Sequence, residues 1–238
     1  MKKIVLVLCL LFSGSALAGN INDQCSHLTV NGTPEYTAQQ GDQEICHANY
    51  AVIHRCGVKS PVAVFEHLTT EDISGPAKRK DNFHPDVAVS PQCSATLADY
   101  ATVGKTHDRG HLSPAANNTQ NADVMSESFD LSNMIAQEAS NNRSTWRYLE
   151  LEERKLISAP GTDYYIISGG IFDPGYKVTG NGLGIPTRLY KIIIEKNTMD
   201  IKAYLFPNHA IKPATDWQRF QVSLAEVEAA TQMKFNLK

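Results

Sequence analysis

The stretch HDRGHLSP, residues 107–114, places two histidines, an aspartate and an arginine around one glycine. Such a run is rare in an ordinary solvent-exposed loop. Histidine is the side chain whose unperturbed pKa, about 6.5, suits proton transfer near neutral pH. His111 is therefore a candidate general base, although a lone histidine in a polar loop is more often simply solvated. Asp108 and Arg109 are equally compatible with a surface ion pair that contributes little, so this stretch needs support from elsewhere in the chain.

The segment SNNRSTWRYLELEERKLIS, residues 140–158, has the strongest helical pattern in the chain. Its apolar face consists of Trp146, Leu149 and Leu156. Asn142 and Glu150 lie eight residues apart, which places them roughly 80° from each other around a helix, on one polar side. An amide or carboxylate oxygen on a rigid helix is a suitable ligand for Mg²⁺. The competing interpretation is a solvated face with a Glu150–Arg154 pair.

DRGHLSPA, followed by LSNMIAQEASNNRSTWRYLELEERKL, resembles the DNA/RNA non-specific endonucleases, the secreted sugar-non-specific nucleases of the ββα-metal, or His-Me finger, group. Four further segments resemble the same family in the same order, over residues 50–235: GPAKRKDNF, GIPTRLYKIII, AYLFPN and SLAEVEAATQMKF. The resemblance implies an α+β fold with a ββα-metal nuclease core on a central antiparallel sheet flanked by helices. It also implies an enzyme that hydrolyses phosphodiester bonds in DNA and RNA with little sequence specificity.

Three positions match the chemical centre of that family. The resemblance implies that His111 is the general base that activates the attacking water. It implies that Asn142 is the only side chain that directly ligates a single Mg²⁺, for which Mn²⁺ is the expected substitute. Glu150 matches the helix carboxylate that orients water on the metal near the leaving group.

Three arginines match family positions as well. Arg109 and Arg79 match arginines that hold the phosphate and stabilise developing charge, with Lys78 and Lys80 flanking Arg79 as alternatives. Arg154 matches a further family arginine, which we place among the substrate-binding residues. The formal net charge of −3 does not favour polyanion binding by the protein as a whole. We therefore expect a local basic groove formed by Lys78, Arg79, Lys80, Arg109, Arg143, Arg147 and Arg154.

The amino terminus, MKKIVLVLCLLFSGSALAGN, has two lysines, a short apolar run and a small-x-small cleavage pattern. This pattern predicts a signal peptide over residues 1–18, which would also remove Cys9. The protein is then exported to the periplasm or the medium. No later stretch reaches the roughly 18 apolar residues that a membrane-spanning helix needs, so we expect no membrane partner.

Four cysteines remain after residue 18: Cys25, Cys46, Cys56 and Cys93. In an oxidising compartment they predict two disulfides, with three connectivities open. The competing zinc site lacks a C-x-x-C pair. We expect one domain over residues 19–238, in which the cysteine-containing extension 19–48 has no counterpart among the family segments.

The rest of the chain mixes strands and helices without strict alternation, which also indicates an α+β class. The sequence predicts a strand over residues 61–69, and a second strand over 163–173 that breaks at Gly169 and Gly170. It also predicts a hairpin over residues 187–208 and a helix over residues 223–233. Residues 99–123, which include DRGH, predict a turn or short strand leading into an irregular polar loop.

Two functions compete with the nuclease. One is a secreted nucleic-acid-binding module that has the fold without catalysis; none of the matched catalytic positions is substituted, which speaks against it. The other is a disulfide-rich adhesin or inhibitor in which DRGH is incidental.

Overall fold

The computed structural model describes residues 20–159 and 161–237. The predicted signal peptide, with Cys9, lies outside these described residues. Within the described ranges, no helix is both long and apolar enough to cross a membrane.

A seven-stranded antiparallel sheet forms the centre of the molecule. In spatial order its strands are β1 (Gln43–Cys46), β2 (Tyr50–Arg55), β3 (Ser60–Leu68), β6 (Tyr164–Ile171), β9 (Arg188–Glu195), β10 (Ile201–Pro207) and β11 (Gln221–Val222). The inner strands have near-continuous runs of buried residues, because both faces of the sheet are covered. Two short two-stranded sheets complete the strands: β4 (His107–His111) with β5 (Met134–Glu138), and β7 (Lys177–Val178) with β8 (Gly184–Ile185).

The helices are short except for one continuous helical stretch after β5. They are α1 (Ile21–Gln24), α2 (Thr70–Ile73), α3 (Leu97–Ala101), α4 (Ala122–Glu127), α5 (Ala139–Asn141), α6 (Arg147–Ile157) and α7 (Leu224–Thr231). A single π-helical turn, Asn142–Trp146, joins α5 to α6. The predicted helix over 140–158 is therefore present, with a change of winding inside it.

The two faces of the large sheet pack against different layers. One face, with Val64 and Ile166, packs against Trp146 and Leu149 of the helical stretch after β5. The opposite face packs against the amino-terminal and carboxy-terminal segments, with Ile21 of α1 and Val227 of α7 among the buried residues there. The sheet thus separates the ββα elements from the two ends of the described chain.

Several predicted elements match the structure closely, and one differs. The predicted hairpin over 187–208 corresponds to β9 and β10, and the carboxy-terminal helix to α7. The strand predicted to break at Gly169 instead continues through it as β6. A Cβ on Gly169 would lie 2.1 Å from the Val62 carbonyl oxygen, so this glycine permits close approach of β3 and does not interrupt the strand.

Both predicted disulfides are present, and their pairing is defined. Cys25 pairs with Cys46, which joins the segment after α1 to β1. Cys56 pairs with Cys93, which joins the end of β2 to the long connection before α3. All four of these cysteines are used, which leaves none for the competing zinc site.

Candidate active site

The DRGH stretch lies on a strand, one of the two alternatives, turn or short strand, that the sequence leaves open ahead of the polar loop. β4 pairs antiparallel with β5, with His107 opposite Glu138 and His111 opposite Met134, and the chain then enters the helical stretch directly. Two strands followed by a helix form the ββα unit. The sequence does not decide between turn and strand because the polar residues of β4 line clefts and not a core, so the usual apolar alternation is missing.

Gly110 is needed for space between the two short strands. A Cβ at this position would lie 2.2 Å from Oε1 of Gln137, on β5. Gly110 is not among the glycines with positive φ. The glycine of the motif therefore allows β5 to approach β4 and does not form a turn.

A cleft of about 450 Å³ brings the six predicted site residues together. Its lining contains Arg79, Arg109, His111, Asn142, Glu150 and Arg154, together with Pro114, Ala115, Ala116, Arg143 and Arg147. Lys78 and Lys80, which we expected in the same basic groove, are exposed and do not line it. The choice of Arg79 over its two lysine neighbours thus agrees with the geometry.

His111 is buried at the floor of the cleft, with 9% of its surface exposed. Its ring packs edge-on against Phe129 at 5.0 Å and is tilted against Phe83 at 5.5 Å. Its Nε2 is buried without a hydrogen-bond partner among the described residues. Burial, followed by the nearby charge of Arg79, lowers the pKa of His111 to about 3. The imidazole is therefore neutral near pH 7 and able to accept a proton.

The aromatic pair Phe83 and Phe129 supports the arginines as well as the histidine. The Arg109 guanidinium lies 4.3 Å from the centre of the Phe83 ring, and that of Arg79 lies 5.1 Å from the Phe129 ring. The two rings meet edge to face at 5.0 Å. Cation–π contacts hold both guanidiniums. Arg79 is also paired with Asp81, at 2.7 Å, whereas Arg109 has no carboxylate at ion-pair distance among the described residues. The sequence analysis missed this pair; an isolated phenylalanine in the polar segment 70–86 was the available signal.

Asp108 fixes the orientation of the Asn142 amide. Asn142 Nδ2 donates to Asp108 Oδ2 at 2.8 Å, and Arg143 donates to both oxygens of Asp108, at 2.8 and 2.6 Å. One interpretation of the sequence paired Asp108 with Arg109. In the structure Asp108 pairs with Arg143 instead. Among the described residues, no hydrogen bond reaches Asn142 Oδ1. The Asn142 side chain is thus held by its nitrogen, and its oxygen is left without a hydrogen-bond partner among the described residues.

Glu150 and Arg154 both line the cleft from α6. Burial raises the pKa of Glu150, while Lys191 and Arg154 oppose that rise. Arg154 Nη1 donates to Asn117 Oδ1 at 3.3 Å. In the part of the chain that the structure describes, Arg154 does not form the surface ion pair with Glu150 that the competing interpretation expected.

An adjoining side of α6 contacts, through Glu153, a fully buried group that we call the buried charge cluster: Glu66, Glu153 and Lys191. Lys191 Nζ donates to Glu153 Oε2 at 2.8 Å. Ser113 Oγ donates to Glu66 Oε1 at 2.8 Å, and Asn117 Nδ2 donates to Glu153 Oε1 at 3.0 Å and to Glu66 Oε1 at 3.3 Å. The sequence analysis missed this cluster, although charged residues inside the apolar strands β3 and β9 were a signal.

A separate histidine–aspartate cluster lies outside the cleft. One ligand-type atom each from His47, Asp86 and Asp130 lies within 4.8 Å of the others. His47 Nε2 is 3.1 Å from Asp86 and its Nδ1 is 3.6 Å from Asp130, while His84 Nε2 is 3.1 Å from Asp130. Asp86 also accepts from Ser132 Oγ at 2.5 Å. These contacts satisfy the group internally, so we regard it as a structural anchor for the segment that contains Arg79.

Comparison with known proteins decides the family. The chain matches the model of the DNA/RNA non-specific endonucleases over residues 29–238. The chain belongs to this family. The match begins within the extension 19–48 for which the sequence analysis found no counterpart, so the DNA/RNA non-specific endonuclease similarity extends further toward the amino terminus than expected.

Several proteins that are named as nucleases are similar to the chain. The mitochondrial nuclease EXOG of Homo sapiens is 32% identical over 82% of this chain and 57% of its own length. Nuclease C1 of Cunninghamella echinulata var. echinulata is 34% identical over 71% of this chain and 73% of its own length. The chain thus matches less than two thirds of the length of the EXOG relative.

A solved structure supports the fold of the DNA/RNA non-specific endonuclease family. The crystal structure of the EndoG/EndoGI complex contains a chain with a TM-score of 0.77 and 27% identity, covering 88% of this chain and 90% of that one. The predicted α+β fold, with its ββα unit beside a central antiparallel sheet, is confirmed.

Proposed function

We propose that this chain is an exported endonuclease that hydrolyses phosphodiester bonds in DNA and RNA with little sequence specificity. One observation supports this proposal above others: His111, Asn142, Glu150 and three matched arginines, which come from separate chain segments, line one cleft. Family membership supports the same reaction class. We further propose that residues 19–238 form one domain.

His111 is the proposed general base. Its neutral imidazole takes a proton from the attacking water and passes it to solvent after the reaction. Phe83 and Phe129 restrict the ring, so that little conformational freedom is lost when water and phosphate align. A positioned base of this kind typically contributes about 10²–10⁴-fold to the rate.

Asn142 and Glu150 fit a single Mg²⁺, with Mn²⁺ as a substitute. The amide oxygen of Asn142 is free while its nitrogen is held by Asp108, and the Glu150 carboxylate lines the same cleft. Hard divalent cations prefer such oxygen ligands and retain much of their water. When bound, the ion acts as a Lewis acid toward the phosphate and the leaving oxygen. Glu150 accepts hydrogen bonds from water on the leaving-group side.

The arginines are the proposed phosphate-binding residues. Arg79, Arg109 and Arg154 offer planar donors that match phosphate oxygens in pairs. Contacts to phosphate carry no base information, so the enzyme should show little sequence preference and strong sensitivity to salt. The net charge of −3 does not oppose this, because five arginines converge locally at the cleft.

Export is also part of the proposal. The amino-terminal pattern of residues 1–18 predicts it, and two disulfides are typical of proteins from oxidising compartments such as the periplasm or the medium. The EXOG relatives are named as mitochondrial, which is a statement about those proteins.

A digest of supercoiled plasmid and of RNA by the purified chain tests this function. We expect nicking, linearisation and then degradation of both substrates with Mg²⁺, weaker cleavage with Mn²⁺, and none with EDTA. A chain that retains both nucleic acids in a gel-shift assay but cleaves neither with any divalent ion would instead be a binding module.

A further inference from the structure

A second groove adjoins the cleft along β4. It has a volume of about 400 Å³ and shares Arg109 and Arg143 with the cleft. Its other polar lining residues are Tyr100, Lys105, His107 and Asp108. The roles proposed above use Arg109 and Asp108 from its lining but leave Tyr100, Lys105 and His107 without a role.

The cations of the groove are available to a ligand. Lys105 is exposed, and within residues 20–159 and 161–237 neither Lys105 nor Arg109 has a carboxylate at ion-pair distance. Asp108, the one acid that lines the groove, is already bound by Arg143 through two hydrogen bonds. An anion in the groove would therefore meet unpaired positive charge.

The acid nearest to His107 is also occupied. Glu138 lies opposite His107 on β5, and its carboxylate accepts from the backbone N–H of Asn141 at 2.7 Å, at the start of the helical stretch. Burial lowers the pKa of His107, the charge of Glu138 raises it and the charge of Lys177 lowers it. Thr106 Oγ1 donates to the Val103 carbonyl, so the Nδ1–H of a neutral His107 is already donated to Thr106 Oγ1, at 3.0 Å. His107 therefore lines the groove as a neutral side chain, and the groove's cationic donors are Lys105 and Arg109.

Tyr100 provides an independent sign of a ligand. Its side chain is buried, with 4% of its surface exposed, and its hydroxyl has no hydrogen-bond partner in the described part of the chain. Buried hydroxyls almost always have a partner. Burial also raises the pKa of Tyr100, so the phenol keeps its proton. Its hydroxyl is thus a buried donor without a partner, in a residue that lines the cationic groove.

The direction of β4 relates the groove to the cleft. His107, Arg109 and His111 occupy alternate positions and so lie on one face of the strand. The distance from the first to the last is roughly 13 Å at the usual rise of a strand. One strand of B-form DNA covers that distance in about four nucleotides.

We propose that the groove formed by Tyr100, Lys105, His107 and Arg109 is a subsite for the phosphates of nucleotides that flank the scissile bond in the bound polynucleotide strand. The subsite rests on the proposed function and adds to it a dependence on substrate length. A strand that extends over the groove binds more tightly than a diester with one phosphate. Arg109 links the two sites because it lines both.

The experiment compares Lys105→Ala and Tyr100→Phe with the wild-type chain on two substrates. One is a 20-nucleotide oligodeoxynucleotide, and the other is bis(p-nitrophenyl) phosphate, which has a single phosphate. We expect the ratio of kcat/KM on the oligonucleotide to kcat/KM on the small diester to fall about fivefold in Lys105→Ala. The slope of log kcat/KM against log salt concentration should fall by about 1.

Lys155→Ala is the matched control. Lys155 is exposed on α6, outside both grooves, and removing it changes the net charge by the same amount. An unchanged ratio in Lys105→Ala, or an equal fall in Lys155→Ala, would overturn the subsite. If Tyr100→Phe does not fold, as judged by circular dichroism, Lys105→Ala alone decides.

Binding in EDTA separates this proposal from the proposed function. Fluorescence anisotropy of a labelled oligonucleotide measures the dissociation constant without cleavage, and Lys105→Glu should raise it at least fivefold. A wild-type chain that cleaves, with unchanged binding in Lys105→Glu, would refute the subsite alone. A wild-type chain that never cleaves, with weakened binding in Lys105→Glu, would refute only the nuclease proposal.

Discussion

The two faces of α6 place charged residues in opposite situations. Toward the sheet, Glu153 belongs to the buried charge cluster, where Lys191 and Asn117 satisfy both of its oxygens. Toward the cleft, Arg154 has an amide partner but no carboxylate at ion-pair distance among the described residues, and Glu150 is without an ion-pair partner there as well. One helix thus has a face whose charges are neutralised within the protein and a face whose charges are not.

This difference distinguishes stability from function in physical terms. A buried ion pair persists only when nearby hydrogen bonds and the opposite charge offset the cost of desolvation. Charges left unpaired at a cleft stabilise nothing in the free protein, and their favourable partner is a ligand of opposite sign. The comparison predicts that changes on the cleft face alter catalysis with little effect on unfolding, and that changes on the sheet face do the reverse.

His111→Ala should have the largest effect on the cleft side. Loss of the base should lower kcat by about 10²–10⁴-fold, measured by plasmid nicking with saturating Mg²⁺. Its midpoint of urea unfolding should change much less than that of a buried-cluster variant. A His111→Ala protein that keeps more than a tenth of wild-type kcat would remove the histidine from the mechanism.

Lys191→Met and Glu153→Gln should have the largest effects on the sheet side. Each leaves a buried charge without its partner, which typically lowers the free energy of unfolding by about 3–5 kcal/mol. The double variant has neither the charge of Lys191 nor that of Glu153. It should recover most of the lost free energy of unfolding, as measured by urea titration.

The kcat of the same double variant shows whether the buried charge cluster acts on catalysis as well as on stability. If it regains both stability and kcat, the buried charge cluster contributes to folding alone. If stability returns while kcat stays low, then Lys191 also acts on the cleft, as its effect on the pKa of Glu150 would allow.

Asp108→Ala should have an intermediate effect, through Asn142. Without the carboxylate, nothing fixes which end of the Asn142 amide faces the cleft. Loss of a group that orients a metal ligand typically weakens metal affinity by about 10–100-fold. We therefore expect a corresponding rise in the Mg²⁺ concentration for half-maximal rate, with Glu152→Ala, at an exposed pair on α6, as the control. A normal Mg²⁺ dependence would leave Asp108 as a partner of Arg143 only.

Glu66→Gln should have an effect on stability that grows with pH. Burial and the neighbouring Glu153 raise the pKa of Glu66 to about 8, well above the value of about 4.3 in an unfolded chain. The folded protein then keeps a proton that the unfolded chain releases, so the free energy of unfolding declines as pH rises from about 4.3 to about 8. Glu66→Gln lacks this dependence. Its stability relative to wild type should improve between pH 5 and pH 8 in urea titrations, and a constant difference would contradict the raised pKa.

The sequence alone singles out the proposed site residues, which the structure brings to one cleft, better than it singles out the residues that hold them in place. His111 and Asn142 stand out because a histidine after glycine and an asparagine within a helix are unusual choices. The predicted hairpin around Asn197 and the amphipathic stretch around Leu149 also match the structure, because their apolar periodicity is local.

The residues and turns that hold the site residues in place depend on contacts between distant segments. A single sequence does not reveal such contacts. Phe83 and Phe129 are 46 positions apart and meet only after folding. The π-helical turn at Asn142 changes the winding between Asn142 and Glu150, so an angle calculated for a regular helix no longer applies. Strand β4 was predicted only as an alternative to a turn, because its polar residues line clefts and not a core.

Gly110 has a consequence for mutational tolerance. Arg109 and His111 are its covalent neighbours, and β5, which it allows to approach, leads directly into the helical stretch that begins the Asn142 turn. An alanine at position 110 would push these strands apart and so displace three residues together, although none of them had been altered: the proposed phosphate donor, the proposed base and the proposed metal ligand. In a library of variants, position 110 should therefore tolerate fewer residue types than any other position of the motif. No single substitution at Arg109, His111 or Asn142 should restore the activity of a variant with a larger residue at position 110.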